Sequence, residues 1–163
     1  MNRVLLSSSK REWCTPQGFF NALNNEFNIT LDVAATKENA LCADYYTSET
    51  DGLTQPWNPA TGAVFCNPLY GREIGKWVKK AYDEARRHGK TIVMLLPART
   101  DTSYFHDYIY GHAEIRFLRG RLAFTNSAGK VYGPAPFPSM VVIYNKKGAV
   151  EPLTEISTAF ISG

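Results

Sequence analysis

A run of alternating strand and helix patterns in the middle of the chain constrains the fold most. Residues 63–66 and 91–96 are predicted strands, and the short, continuous apolar runs at 63–66 and 92–96 are expected for strands buried on both faces. Between them, residues 72–88 carry apolar side chains at helical spacing, and Gly89 follows a basic last turn as the stop signal. Because a strand, a helix and a second strand in succession favour parallel pairing, this run predicts an α/β fold with a mostly parallel sheet.

The N-terminal part of the chain predicts one helix and one strand. Thr15 followed by Pro16 has the form of a helix N-cap and first helical residue. The apolar residues that then recur at helical spacing are Phe19, Phe20, Leu23 and Phe27. Residues 29–33 have the alternating, β-branched character of a strand, which places Asp32 at the strand's carboxyl end.

The C-terminal part predicts a short helix and then strands. Around residues 104–109, aromatic and apolar side chains share one helical face, and turn residues separate the patterns that follow. The predicted strands are residues 114–118, 121–125 and 140–144. With no internal repeat or linker, we expect one domain over residues 1–163, with residues 1–12 and 146–163 as peripheral tails.

Composition limits the class of protein. At 163 residues and 44% hydrophobic, the chain fits one domain that buries roughly two-thirds of its unfolded surface. A net charge of +3 permits a nucleic-acid partner without requiring one. Cys14, Cys42 and Cys66 form no C-x-x-C pair, so we expect a reducing cytoplasm, no structural metal and a buried apolar role for Cys66. The longest apolar run, residues 92–96, is too short to span a membrane, so we expect no membrane partner.

One short motif carries candidate chemistry. Asn67-Pro68-Leu69-Tyr70 directly follows a buried strand, which is where open α/β sheets place their ligand sites. The side-chain oxygen of Asn67 and the carbonyl of Pro68 can accept the two hydrogens of an aromatic amine and redirect its delocalised lone pair. Tyr70 offers a flat face for an extruded base. Alternatively, the motif only ends the strand and Tyr70 only fills a crevice.

A series of motifs in fixed order, over about four-fifths of the chain, resembles the phage-type DNA N-6-adenine methyltransferase (Dam) family. The series begins with Trp13-x-Thr15-Pro16, Leu31-Asp32-Val33-Ala34-Ala35, Asp51-Gly52-Leu53 and the Asn67 motif. It continues with Leu95-Leu96-Pro97-Ala98-Arg99, Phe117-Leu118-Arg119-Gly120-Arg121 and Pro136-Phe137-Pro138-Ser139.

The resemblance implies a function and a cofactor. The chain would be a site-specific enzyme that transfers a methyl group from S-adenosylmethionine to the exocyclic N-6 amine of adenine in double-stranded DNA. Its fold would be an abbreviated Rossmann-like methyltransferase fold. Asn67, Pro68 and Tyr70 would receive the adenine. The residues that would contact the cofactor are Thr15, Pro16, Asp32, Ala34 and Asp51.

Simpler interpretations remain open for the cofactor residues. Asp32 also fits an ordinary strand-end cap, Asp51 an Asp-Gly turn and Thr15 a plain helix N-cap.

Two departures from the family pattern bear on the same site. Leu69 replaces the second proline of the N-P-P-Y motif, and Asp51 follows Asp32 by only 19 positions, which is too short for a full nucleotide-binding unit.

Three arginines are candidate DNA contacts. Arg99, Arg119 and Arg121 resemble positions that face DNA in the family, and arginine binds phosphate or reads guanine. The alternative is solvated surface charge.

Two rival functions also remain, a protein-glutamine methyltransferase that uses the same loop chemistry and an inactive DNA-binding relative. The sequence leaves the oligomeric state and the target DNA sequence open.

Overall fold

A computed structural model describes residues 12–145 and a strand at 154–156. The elements in chain order are α1 (Gln17–Phe27), β1 (Ile29–Asp32), β2 (Asp44–Tyr45), β3 (Ala63–Cys66), α2 (Ile74–His88), β4 (Ile92–Pro97), a π-helix (Phe105–Ile109), β5 (Glu114–Leu118), β6 (Ala123–Thr125), β7 (Val131–Pro134), β8 (Ser139–Tyr144) and β9 (Thr154–Ile156). Helices therefore make up a small part of the fold.

Seven of these strands form one sheet in the order β2-β1-β3-β4-β8-β5-β9. Strands β2, β1, β3 and β4 run parallel to one another, whereas β8 is antiparallel to both β4 and β5. Because β8 lies reversed between β4 and β5, those two strands point the same way. The carboxyl ends of β1, β3, β4 and β5 therefore meet at one edge, which we call the carboxyl edge. The predicted α/β fold with a mostly parallel sheet is confirmed in its class and in its strand directions.

The core has a layer on each face of the sheet. Helix α2 and the π-helix cover one face, where Val64, Met94 and Val78 belong to one buried hydrophobic cluster. Helix α1 and the β6–β7 hairpin cover the other face, where Phe65 packs with Phe20. Strands β3 and β4 are buried along their whole length, which explains why their sequences are continuous apolar runs.

Helix α2 ends as predicted, but α1 begins differently. Gly89 adopts a left-handed conformation (φ 62°) and its N–H donates to the carbonyl of Ala85 over 3.0 Å. The prediction that Thr15 caps α1 and that Pro16 is its first residue is wrong. Pro16 itself holds the N-cap position with ψ 137°, the helix starts at Gln17, and no side chain caps it. The Thr15 hydroxyl instead contacts the loop after β3.

Several boundaries differ from the expected ones. The helix predicted over residues 72–88 begins at Ile74, and the strand predicted over 121–125 begins at Ala123. Strands β2, β7 and β9 were not predicted. Of the predicted tails, Thr154–Ile156 pairs with β5, while residues 1–11, 146–153 and 157–163 lie outside the described residues. No helix in the described part of the chain is long and apolar enough to cross a membrane.

Candidate active site

A cavity of about 370 Å³ opens at the carboxyl edge. Its walls come from four segments, residues 12–15, 32–41, 47–53 and 65–77. Strand β1 continues to β2 on one side, while β3 lies on its other side, so the strand order reverses between β1 and β3. Ligands of open α/β sheets bind at such a reversal, outside the carboxyl ends of the strands.

The cavity brings together most of the residues singled out from the sequence. Those that line it are Thr15, Asp32, Ala34, Asp51, Asn67, Pro68 and Tyr70. Pro16 is not part of its wall, because its carbonyl faces α1 and accepts the N–H of Phe20 over 3.0 Å. The three arginines also lie outside the cavity.

The side-chain amide of Asn67 is held through its nitrogen. Nδ2 donates to the carbonyl of Trp13 over 2.7 Å and to Oγ1 of Thr15 over 3.0 Å. The opposite orientation would place Oδ1 of Asn67 2.7 Å from the Trp13 carbonyl oxygen, where two acceptors repel. Oδ1 is buried and accepts no hydrogen bond from the described residues. Asn67 therefore offers a fixed, unused acceptor beside the cavity.

The next two residues of the Asn67 loop, Pro68 and Leu69, differ in their exposure to solvent. Pro68 is buried, and no described group donates a hydrogen bond to its carbonyl. Leu69 is 68% exposed, and its N–H has no acceptor among the described residues. Both acceptors of the predicted pair, Oδ1 of Asn67 and the Pro68 carbonyl, are thus left free by the described part of the protein.

Tyr70 is fixed by its hydroxyl and its ring. The hydroxyl donates to the carbonyl of Leu95 over 3.2 Å. The ring meets Phe124 and Phe137 edge to face, with centroids 6.1 and 5.5 Å away. Burial raises the pKa of Tyr70 well above its usual value, so the side chain stays neutral. Tyr70 therefore contributes a rigid, uncharged ring to the wall.

Asp32 is a buried carboxylate at the end of β1. It is 4% exposed, and it accepts the N–H of Ala34 over 3.4 Å and of Leu41 over 3.2 Å. Burial raises its pKa to about 6, against the opposing effect of those two N–H groups. Asp32 thus caps the strand end and also faces the cavity, so the two interpretations of this residue are compatible.

Asp51 lies in a turn that is anchored to β1. Its backbone is left-handed (φ 55°), and Oδ1 accepts the N–H of Leu53 over 3.1 Å. At Gly52, an added Cβ would lie 2.1 Å from the carbonyl oxygen of Val33, so only glycine allows this approach. The Gly52 carbonyl also accepts the indole N–H of Trp57 over 2.8 Å. These contacts hold the exposed Asp51 carboxylate at the cavity.

The charge of the cavity wall was only partly predicted. Besides Asp32 and Asp51, Glu12 and Glu73 line it, and no lysine or arginine among residues 12–145 does. Such a wall favours a cationic ligand. Glu12 and Glu73 could not be predicted as wall residues, because neither lies in a motif. Among the described residues, no group of three or more His, Cys, Asp or Glu is placed to hold a metal ion.

The arginines lie farther along the same edge. Arg99 follows β4, and Arg119 and Arg121 follow β5. All three are exposed, and none forms an ion pair with a carboxylate in the described part of the chain. The carboxyl edge is therefore acidic beside β1 and β3, and the three arginines lie beyond β4 and β5, where Asp101 is also exposed.

Known proteins that this chain is similar to carry the name of the family that its motifs resemble. A DNA N-6-adenine-methyltransferase of Escherichia phage T1 is 34% identical over 111 residues, which cover 68% of this chain and 45% of the phage T1 protein. One of Haemophilus phage HP1 is 28% identical over 161 residues, which cover 95% of this chain and 88% of that protein. The sequence also matches the DNA N-6-adenine-methyltransferase (Dam) family over residues 3–160. Because this match covers nearly the whole sequence, the chain belongs to the DNA N-6-adenine-methyltransferase (Dam) family.

Proposed function

We propose that this protein transfers the methyl group of S-adenosylmethionine to the N-6 amine of adenine in DNA, and that the Asn67 loop receives the amine. Family membership supports the reaction. The observation that carries the site is the fixed, buried and unused Oδ1 of Asn67.

The chemistry of adenine requires such acceptors. The lone pair of the N-6 amine is delocalised into the ring, so the nitrogen is a poor nucleophile. When Oδ1 of Asn67 and the carbonyl of Pro68 accept its two hydrogens, the nitrogen moves towards tetrahedral geometry and its lone pair becomes available. An amide performs this without adding a full negative charge. Because the amide is fixed before substrate arrives, no reorganisation is needed at the moment of reaction.

The cavity fits the methyl donor by charge. S-adenosylmethionine supplies an electrophilic methyl group on a positively charged sulfonium, and it also carries an ammonium group. The acidic wall complements both charges, and the carboxylates of Asp32 and Asp51 would accept hydrogen bonds from the ammonium or ribose hydroxyls. Ala34 lies beside them in the wall. The Thr15 hydroxyl hydrogen would bind the cofactor carboxylate, and a cofactor role for Pro16 stays a prediction of the family resemblance.

The proposed fold is an abbreviated Rossmann-like methyltransferase fold. Its support is the site at the strand-order reversal of a mainly parallel sheet. Between β1 and β3 there is only the two-residue strand β2 and no helix, in agreement with the short interval between Asp32 and Asp51.

Double-stranded DNA would lie along the part of the carboxyl edge that carries Arg99, Arg119 and Arg121. Arg99, Arg119 and Arg121 would meet its phosphates, while the target adenine leaves the base stack to reach Asn67. The division of charge along the edge favours this arrangement, because the acidic cavity repels phosphate and the arginines attract it.

A direct test uses S-adenosylmethionine with a radiolabelled methyl group and offers DNA, RNA and protein in parallel. We expect label in DNA alone, on N-6 of adenine after digestion to nucleosides. Label on glutamine of a protein would support the rival methyltransferase, and label on cytosine would contradict the proposed substrate.

Replacing the arginines should weaken DNA binding in a salt-dependent way. We expect Arg99→Ala, Arg119→Ala and Arg121→Ala each to lower affinity for DNA of any sequence, and each to reduce the slope of log affinity against log salt by about 1. Fluorescence anisotropy over a salt series measures both. Arg87→Ala, at the end of α2, serves as the control. If all three slopes equal the wild-type slope, the arginines do not contact phosphate.

The Leu69 position should accept the proline of the family motif. Its φ is not positive, its N–H is unpartnered and its side chain is exposed, so proline replaces no contact within the described residues. A proline at position 69 would restrict the backbone of Pro68 to extended conformations, and so narrow the directions in which the Pro68 carbonyl can point. We expect Leu69→Pro to raise the single-turnover rate by about twofold or more and the stability by about 0.4–1 kcal/mol. Leu69→Ala controls for loss of the side chain; a slower but equally stable proline variant would contradict the prediction.

A further inference from the structure

The amide of Asn67 is held by a segment far from it in sequence. Its nitrogen donates to the Trp13 carbonyl over 2.7 Å and to the Thr15 hydroxyl oxygen over 3.0 Å. We propose that Thr15 is a positioning residue for methyl transfer, whose hydroxyl oxygen fixes the Asn67 amide so that Oδ1 faces the reacting amine. This inference rests on the proposed catalytic role of Asn67.

Two acceptors on the nitrogen side are needed to fix the amide. The two N–H bonds of an amide point in different directions in one plane, so a single acceptor leaves the group free to turn about that bond. No described donor holds the oxygen side, because Oδ1 has no partner. The orientation of Asn67 therefore depends on Trp13 and Thr15 together. Only the Thr15 contact comes from a side chain, and only that contact can be removed by substitution.

The Thr15 side chain has no other hydrogen-bonding role in the described part of the protein. It stands just before α1, where a threonine commonly caps a helix, yet it makes no cap hydrogen bond. Thr15 is 8% exposed, and its one hydrogen bond from a side chain comes from Asn67. A residue of this type at this place, turned away from the helix it precedes, indicates that its hydroxyl serves the loop after β3.

The backbone around Thr15 is itself held in place. Cys14 and Thr125 of β6 exchange two backbone hydrogen bonds, of 2.9 and 3.1 Å. On the other side, the Asn39 amide donates to the sulfur of Cys14 over 3.5 Å. The Trp13 ring packs edge to face against Phe124 and Phe137, with centroids 5.5 and 5.2 Å away. The Thr15 hydroxyl oxygen, which is the acceptor for Asn67, therefore stands on a backbone rigid enough to set the position of another side chain.

The test compares Thr15→Val, which has nearly the same shape but no hydroxyl, with Thr15→Ser, which keeps the acceptor. At saturating S-adenosylmethionine and DNA, we expect the single-turnover rate of Thr15→Val to fall about tenfold or more. The rate of Thr15→Ser should stay within about threefold of wild type. Thr15→Ala provides a second variant without the acceptor. Equal rates for wild type, Thr15→Val and Thr15→Ala would overturn the proposal.

A spectroscopic measurement separates positioning from a general structural effect. In a ¹⁵N–¹H spectrum of the protein without cofactor, the Asn67 side-chain signals are identified by their loss in Asn67→Ala. In Thr15→Val we expect one of the two amide hydrogens to move upfield and the other to stay; in Thr15→Ser both should stay. Unchanged signals in Thr15→Val, or a loss confined to cofactor affinity, would contradict positioning.

The two levels of the proposal fail differently. If Asn67→Ala methylates adenine at the wild-type rate, the proposed role of Asn67 is wrong. Thr15 then has no catalytic side chain to position. If Asn67→Ala is inactive while Thr15→Val is fully active, Asn67 keeps its role and only the role of Thr15 is overturned.

Discussion

Asn67→Ala is expected to lower the single-turnover rate of adenine methylation by about 10²–10³-fold, with little change in cofactor affinity. The lost group is the acceptor for the reacting amine, and its effect should appear in the chemical step because the interaction strengthens as the nitrogen becomes tetrahedral. Rapid-quench methylation at saturating DNA measures the rate, and calorimetry with S-adenosylmethionine measures the affinity.

A matched control separates this effect from a general loss of an asparagine. Asn21 is exposed on α1, far in chain position from the loop, so Asn21→Ala makes the same chemical change outside the cavity wall. It should methylate at the wild-type rate. A fully active Asn67→Ala would refute the mechanism.

The nitrogen contacts of Asn67 lead to a second expectation for the same position. Asn67→Asp keeps an acceptor, but it places a carboxylate oxygen where Nδ2 now donates to the Trp13 carbonyl over 2.7 Å. Two acceptors at that distance repel, so the side chain must turn or be protonated. We expect Asn67→Asp to be less stable than Asn67→Ala and to recover little activity. An active, stable aspartate variant would show that the nitrogen contacts do not matter.

Asp32→Asn is expected to stabilise the protein without cofactor and to weaken cofactor binding. The carboxyl of Asp32 has a folded-state pKa of about 6, against an ordinary value of 3.8, because it is buried. Its raised pKa favours folding below about pH 4, and this contribution is lost as the pH rises through about 6. Above that range the buried charge costs up to about 3 kcal/mol. Asparagine removes the charge and keeps an acceptor for Leu41.

The pH dependence makes the Asp32 prediction specific. At pH 8 the free energy of unfolding of Asp32→Asn should exceed that of wild type by up to about 3 kcal/mol, and near pH 4 the two should converge. Wild-type affinity for S-adenosylmethionine should fall about tenfold between pH 7 and pH 5 as Asp32 gains a proton. Asp32→Asn should bind weakly at both. Denaturant melts and calorimetry over this range measure these quantities.

Asp51 provides the contrast. Its carboxylate is exposed, so Asp51→Asn should weaken cofactor binding without a comparable gain in stability. If Asp32→Asn binds the cofactor as tightly as wild type at pH 8, Asp32 does not face the cofactor and acts as a strand-end cap alone.

The elements that the sequence predicts best are those whose pattern is set by burial. Ala63–Cys66 lies between two strands and under two helical layers, so every residue in it is apolar and its bounds can be predicted. Asp44–Tyr45 and Val131–Pro134 are exposed or half-buried strands with no such pattern, and they were missed. The β-strand at Thr154–Ile156 lies at the sheet edge, where pairing depends on β5 and not on local sequence.

The site divides in the same way. The positions of Asp32 and Asn67 could be predicted because Asp32 ends β1 and Asn67 directly follows β3, and the carboxyl ends of neighbouring parallel strands meet. The partners of Asn67 could not, since one is a backbone carbonyl in an irregular segment and the other is a threonine that resembled a helix cap. Which way a side chain turns at a helix start depends on the tertiary contacts that surround it.

The pairing of Cys14 with Thr125 has a consequence for when the enzyme becomes active. These residues are 111 positions apart, so their contact carries a high loop-closure cost and cannot form before residue 125 has been synthesised. A chain still emerging from the ribosome can assemble β1, β3 and α2 before residue 125 has been made. Until β6 is present, the segment that orients Asn67 lacks its two backbone hydrogen bonds to Thr125. We therefore expect methylation to begin only once residue 125 has been synthesised and β6 has paired with Cys14.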